Sequence, residues 1–84
     1  MGLKIFYRRN ELTHPRLGIM ISKQSIKNAV DRNRVRRLIR ESFRHYQGQV
    51  KSLDIVIMVR SECLSIENST LRAELGKLWE SIKV

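Results

Sequence analysis

The sequence has a single cysteine and no long apolar run. Its single cysteine, Cys63, cannot form an internal disulfide or build a cysteine-rich zinc site, and a reducing cytoplasmic location fits that composition. No apolar run approaches the roughly 20 residues that a membrane span requires, and the amino terminus lacks the long apolar segment of a signal peptide. The sequence also has no phosphate-binding Gly-Lys-Ser/Thr loop and no nucleophile motif. These absences leave one small domain, residues 1–84, with no expected catalytic residues.

Acidic residues are also scarce, and positive charge therefore dominates. The 84 residues include 17 Lys and Arg against 8 Asp and Glu, which gives a net charge of +9. Residues 1–60 carry a net charge of +10, whereas residues 61–84 carry −1. Arginine outnumbers lysine 11 to 6, which favours bidentate contacts with phosphate. The basic part is the expected working surface, and nucleic acid is its expected partner.

The basic residues concentrate at residues 27–44, where an apolar helical stripe faces a side loaded with arginine. Like charges four residues apart on a helix each cost about 0.2–0.5 kcal/mol. A bound polyanion would offset that cost, although most charge runs are only solvated faces. Four arginines follow this spacing: Arg32, Arg36, Arg40 and Arg44.

Alternating apolar residues predict two strands at residues 3–8 and 17–22, which are expected to pair as an antiparallel hairpin. Residues 54–60 are almost wholly apolar between charged ends, which favours a strand buried on both faces.

Two helices are predicted from apolar spacing. The first begins near Ala29 after the capping residue Asn28, with Gly48 as its C-cap. The second begins at Ser65. The buried stripe of the first is predicted to comprise Val35, Leu38, Ile39, Ser42, Phe43 and Tyr46, and that of the second Leu71, Leu75, Leu78, Trp79 and Ile82.

The expected fold is therefore a small two-layer α+β sandwich of order β-β-α-β-α, with helices covering the sheet. The second and third strands flank the first helix, as in a parallel β-α-β crossover.

Other side chains carry weaker signals. Phe6 and Tyr7 could stack on unpaired bases beside the cationic residues of their strand, or could belong to the core; we expect one to be buried. His14 and His45 have no partner at metal-ligand spacing, and Cys63 is expected to be half-buried. We expect no metal site in this chain.

Residues 27–44 closely resemble the Arg-Asn-Arg motif of the bacterial ribonuclease P protein family, here Arg32-Asn33-Arg34 followed by Val-Arg-Arg-Leu-Ile-Arg-Glu-Ser-Phe-Arg. The flanks agree. The strand before the motif in this family resembles residues 15–19 together with Ser22 and Lys23. The strand after the motif resembles residues 54–60, and the last helix of the family resembles residues 75–79. Members usually carry a helix and a short strand before the strand that residues 3–8 resemble, and this chain is expected to lack that helix.

The resemblance implies a role in tRNA maturation. Proteins of this family assist a catalytic RNA that removes the 5′ leader of precursor tRNA by endonucleolytic cleavage, with Mg²⁺ held mainly by the RNA. The implied partners are that RNA and precursor tRNA, without a membrane or protein partner. The resemblance also implies a left-handed crossover, against the usual rule.

The implied site has two parts. Phe6, Tyr7 and Arg8 would contact the leader. The surface that would face the catalytic RNA comprises Lys23, Lys27, Arg32, Asn33, Arg34, Arg36, Arg37, Arg40 and Arg44.

Three alternatives remain open on the sequence alone. One is a general or ribosome-associated binder of double-stranded nucleic acid. Another is a protein-only nuclease, which the lack of paired carboxylates disfavours. The third is a peripheral membrane binder, which would need exposed apolar residues among the arginines.

Overall fold

The computed structural model describes residues 2–22, 26–50 and 52–82. Within these ranges the chain forms three strands and two α-helices, in the predicted order β-β-α-β-α. Short 3-10 turns at Gln47–Gln49 and Ser61–Ser65 follow the first helix and the third strand. The elements are β1 (Leu3–Arg9), β2 (Arg16–Ile21), α1 (Ala29–Tyr46), β3 (Leu53–Val59) and α2 (Asn68–Ser81).

The most apolar strand, β3, lies in the middle of the sheet, whose order is β1-β3-β2. It pairs antiparallel with β1 and parallel with β2, so that Ile57 faces Ile5 on one side and Ile19 on the other. The predicted hairpin between the first two strands is therefore wrong. A central strand is covered along both edges, and this position suits the most apolar run. The parallel crossover from β2 through α1 to β3 is confirmed, and its left-handedness stays a prediction.

Both helices pack on the same face of the sheet, which gives the predicted two-layer sandwich. Alternate residues of β3, such as Ile55 and Ile57, are buried in a core shared with both helices. The residues between them, Asp54, Val56 and Met58, are only half-buried. The prediction that β3 is buried on both faces is wrong because, among the described residues, no helix covers the second face. We call this second face the open face.

α1 begins as predicted and ends differently. The side-chain oxygen of Asn28 accepts a hydrogen bond from the backbone N–H of Val30 at 2.8 Å, which caps the first turn. Gly48 is not the C-cap, because Gln47 continues in the right-handed helical conformation and Gly48 lies in the following 3-10 turn without a positive φ. The predicted stripe is confirmed: Val35, Leu38 and Ile39 are buried, and Phe43 and Tyr46 pack against the core.

α2 begins at Asn68, three residues later than predicted. Ile66 and Glu67 are extended, and the half-buried Ile66 packs against the core before the helix starts. Trp79 is fully buried, as its place in the stripe predicts. Its indole N–H donates a hydrogen bond to the Ser42 hydroxyl at 2.7 Å, and this bond fixes α2 against α1.

The start of β1 is held by an unusually close approach between two backbones. A Cβ atom on Gly2 would lie 2.7 Å from the sulfur and 2.9 Å from the backbone nitrogen of Cys63, so only glycine fits there. The Gly2 carbonyl accepts hydrogen bonds from the N–H of Arg60 and the thiol of Cys63. Cys63 is fully buried rather than half-buried, and this burial raises the pKa of its thiol.

Candidate nucleic-acid interface

The solvent side of α1 carries a continuous stripe of polar and cationic side chains. Asn33, Arg37, Arg40 and Arg44 are exposed and follow one another by three or four residues. The last lies eleven positions after the first, which corresponds to about 16 Å along the axis. Arg36 is half-buried on the flank of the stripe. We call these five residues the outer face.

The cations of the outer face have no acidic partner in the described part of the chain. The ion pairs found there, with N···O distances up to 4.0 Å, involve only Asp54. Glu41, the acid expected to pair with Arg37 and Arg44, is exposed and lies beyond that distance from both. The positive charge of the outer face is therefore available to an external anion.

Two arginines of the predicted RNA-facing set make contacts within the protein. Arg32 donates from one guanidinium nitrogen to the carbonyls of Ile26 and Lys27, at 2.7 and 2.9 Å, and so holds the segment before α1. Arg34 donates to the side-chain oxygen of Asn68 and to the carbonyl of Cys63. Because all of these acceptors are neutral, both guanidinium groups are positioned without being neutralised.

The remaining two predicted members precede α1. Lys27 is exposed beside the capping residue. Lys23 lies outside the described residues, so its place in the predicted site stays a prediction.

The open face forms a shallow apolar cleft. Phe6 of β1 and Gly18 of β2 both lie opposite Val56 of β3 in the strand register, and together they line a cleft of about 420 Å³. Because Gly18 has no side chain, the cleft stays open over β2, on the side of Val56 away from Phe6.

Phe6 and Tyr7 are both about half exposed, at 51% and 54%. The expectation that one of them is buried is wrong. Tyr7 lies opposite Ile55, on the helix-covered face, but near the end of an edge strand, where the helices do not enclose it. Phe6 lies on the open face, two residues from Arg8.

Asp54 organises the charged residues at one end of the cleft. Its carboxylate accepts two hydrogen bonds from Arg16, both at 2.7 Å, and one from the Asn10 side chain at 3.0 Å. Arg8 approaches the same carboxylate at 3.7 Å while remaining largely exposed. The hydrogen bonds from Arg16 and Asn10 hold the pKa of Asp54 well below its usual range, and the pKa of Arg16 is raised in turn.

Sequence reasoning found Arg8 but not its connection with Arg16 and Asp54. Arg16 is the first residue of β2 and Asp54 the second of β3, and only the pairing of these two strands places them directly opposite each other. The sequence does place Arg16 and Asp54 at corresponding positions near the starts of their strands. The predicted hairpin did not pair those two strands, so the contact was not predicted.

The described residues do not gather a metal-binding or membrane-spanning element. No cluster of three or more His, Cys, Asp or Glu side chains among them could hold a metal ion. None of the helices in the same residues is long and apolar enough to cross a membrane.

Residues 1–83 match the protein family described as Ribonuclease P. The chain belongs to this family. Among curated relatives, the Ribonuclease P protein component of Pseudomonas putida is 50% identical over 81 residues, covering 96% of this chain and 60% of that protein. The corresponding Pseudomonas syringae protein is 46% identical, with coverage of 96% and 61%. This chain thus spans about three fifths of the length of these relatives.

Solved ribonuclease P proteins have the same fold. The protein from Staphylococcus aureus is similar with a TM-score of 0.88 and 30% identity, over 99% of this chain and 76% of that one. The protein from Thermotoga maritima, solved with 1-(4-fluorophenyl)-2-thiourea, gives a TM-score of 0.84 and 31% identity, over 98% and 80%. The resemblance inferred from the arginine motif is confirmed at the level of family and fold.

Proposed function

We propose that this chain is the RNA-binding protein subunit of bacterial ribonuclease P, acting in the cytoplasm to assist a catalytic RNA in removing the 5′ leader of precursor tRNA. The observation that carries the proposal is the outer face of α1, a row of guanidinium groups on a rigid helix without acidic partners among the described residues. Family membership supports the identity of the RNA partner.

The chemistry of the outer face is phosphate neutralisation. Arginines held along one helix can contact successive backbone phosphates and release the counterions condensed on them. The bound protein would lower the repulsion between closely packed RNA strands. In this proposal the RNA holds the Mg²⁺ ions and carries out the hydrolysis, while the residues of this chain bind and orient RNA.

The open face would receive the single-stranded leader. The exposed ring of Phe6 offers a stacking surface for one unpaired base, and the cleft beside Gly18 gives that base room. Arg8 stands two residues along the same strand, where it can contact the adjacent phosphate. Tyr7 is exposed on the other side of β1, so its contact with the leader would lie at the strand edge.

The most direct test is cleavage of precursor tRNA by the bacterial catalytic RNA at limiting Mg²⁺, with and without this chain. We expect the chain to lower the Mg²⁺ concentration needed for cleavage and to leave the cleavage position unchanged. Cleavage by the chain alone would instead indicate a protein-only nuclease. An unchanged Mg²⁺ requirement would refute the proposed assistance.

Binding measurements separate this function from general duplex binding. About five neutralised phosphates predict a slope of log affinity against log salt between about −3.5 and −4.5, and a slope near zero would exclude the electrostatic account. Random duplex RNA should compete weakly with the catalytic RNA. Equal competition would favour a general double-stranded nucleic-acid binder.

A further inference from the structure

A second basic surface lies beside the outer face, in a groove of about 450 Å³ between α1 and α2. Three arginines line it: Arg34 and Arg37 from α1, and Arg72 from α2. Leu38 contributes an apolar side chain to the same groove, and Asn33 continues it towards the outer face.

The charge balance of this groove favours an anion. Glu41 is the one acidic side chain among the described residues that line it, so the three guanidinium groups leave a net charge of +2. Glu41 lies more than 4.0 Å from the charged nitrogens of these arginines, as the ion pairs of the described chain show. A mobile counter-ion or a bound ligand is therefore needed to balance the remaining charge.

Arg34 gives the groove a fixed cation. Its bonds to the Asn68 side chain and the Cys63 carbonyl tie α1 to the segment that leads into α2. A guanidinium has five N–H donors, so donors remain after these two bonds. A cation already held in position loses less conformational entropy when it binds a phosphate.

The acidic residues nearby limit where a polyanion can lie. On the other side of Arg34, Asp31 and Glu67 line an adjoining groove. An RNA strand that follows the positive charge would therefore cross from the outer face towards Arg72 and would avoid the entry to α2.

We propose that Arg72 is an RNA-binding residue, and that the groove between α1 and α2 holds a backbone phosphate of the same RNA that contacts the outer face. This inference rests on the proposed function and extends its footprint to a second helix. Arg72 belongs to residues 61–84, whose net charge of −1 gave no reason to expect a nucleic-acid contact.

The test is the affinity of Arg72→Ala for the catalytic RNA, measured over a range of salt concentrations beside two other variants. Lys77→Ala is the matched control, because Lys77 is an exposed cation on the same helix that does not line the groove. Arg40→Ala reports on the outer face itself. Arg72→Ala should weaken binding about fivefold and make the salt slope shallower by about 0.7–0.9, whereas Lys77→Ala should change neither.

The outcomes separate this inference from the proposed function. If Arg40→Ala weakens binding while Arg72→Ala behaves as Lys77→Ala does, the groove does not contact RNA and the proposed function stands. If neither Arg40→Ala nor Arg72→Ala alters affinity, the electrostatic proposal itself fails. Urea unfolding of all three variants should match that of the parent chain. A destabilised Arg72→Ala whose affinity for RNA is unchanged would assign Arg72 a structural role instead.

Discussion

The outer face of α1 and the open face of the sheet are both basic, but they hold their charges differently. On α1, the exposed arginines have no carboxylate partner in the described residues. On the sheet, Asp54 binds Arg16 firmly and attracts Arg8, so one acid orders two cations beside an apolar cleft. The first arrangement suits a folded RNA that supplies many phosphates. The second suits one strand whose bases need a flat apolar contact and few charges.

Removal of the charge of the outer face should have the largest effect on RNA binding. We expect Arg37→Ala/Arg40→Ala/Arg44→Ala to reduce affinity for the catalytic RNA on the order of 100-fold and to make the salt slope shallower by about 2–3. Exposed side chains without internal partners should each change the free energy of unfolding by less than about 0.5 kcal/mol. Binding titrations and urea unfolding would measure both quantities.

The control for that variant is Arg60→Ala/Lys77→Ala, which removes two exposed cations elsewhere. If this control loses as much affinity per charge as the triple variant, net charge and not the outer face determines binding.

On the open face, the largest effect should follow loss of the stacking ring. Phe6→Ala should weaken binding of precursor tRNA to the assembled ribonucleoprotein by about 1–3 kcal/mol, because one base loses its aromatic contact. Binding of mature tRNA, which has no leader, should not change. Leu12→Ala removes another partly exposed apolar side chain from a loop and serves as the control. Equal losses for both tRNAs would contradict a leader contact at Phe6.

A smaller and purely steric effect should follow Gly18→Val. A Cβ atom at Gly18 would lie 3.6 Å from a methyl of Val56, an ordinary contact, so the backbone can accept a side chain. The two further methyl groups would occupy the cleft, and we expect about a tenfold loss in precursor tRNA affinity without any change in charge. Gly18→Ala, which adds only the Cβ atom, should retain most of the affinity. If Gly18→Val binds precursor tRNA with full affinity, the leader base does not occupy the cleft beside Gly18.

The smallest expected effect concerns acid stability. The depressed pKa of Asp54 means that its ionised form stabilises the fold above the ordinary carboxyl pKa, near 3.8. That contribution should be complete at neutral pH and should be lost as the pH falls below about 4. Urea unfolding at pH 7, 4 and 3 should show a smaller acid-dependent loss in Asp54→Asn and in Arg16→Ala than in the parent chain. If both variants lose as much stability in acid as the parent chain does, the ion pair between Asp54 and Arg16 does not contribute to acid unfolding.

The sequence predicted α1 and its chemistry well, because both depend on local spacing. The apolar stripe from Val35 to Tyr46 and the cap at Asn28 follow from helical periodicity, and the same periodicity places the arginines on the opposite side. The side-chain contacts of Arg32 and Arg34 were not predictable, because their acceptors lie in the segment before α1, in the turn after β3 and at the start of α2.

The sheet was less predictable, because strand order depends on contacts between distant segments. Two consecutive alternating strands favour a hairpin, yet β3 lies between them. The same error concealed the cluster around Asp54 and the exposure of both aromatic residues of β1. The groove at Arg72 was not predictable, because it depends on how α1 and α2 pack against each other, and no spacing along the chain encodes that packing.

The central position of β3 also bears on how the protein is made. Among the described residues, β1 and β2 each pair only with Leu53–Val59, so neither can complete its sheet hydrogen bonds until that strand has left the ribosome. Until then, a strongly basic nascent segment remains without its sheet. Folding should consequently be a late and concerted event, and free RNA near the ribosome is a competitor that the emerging chain meets before it has a native structure.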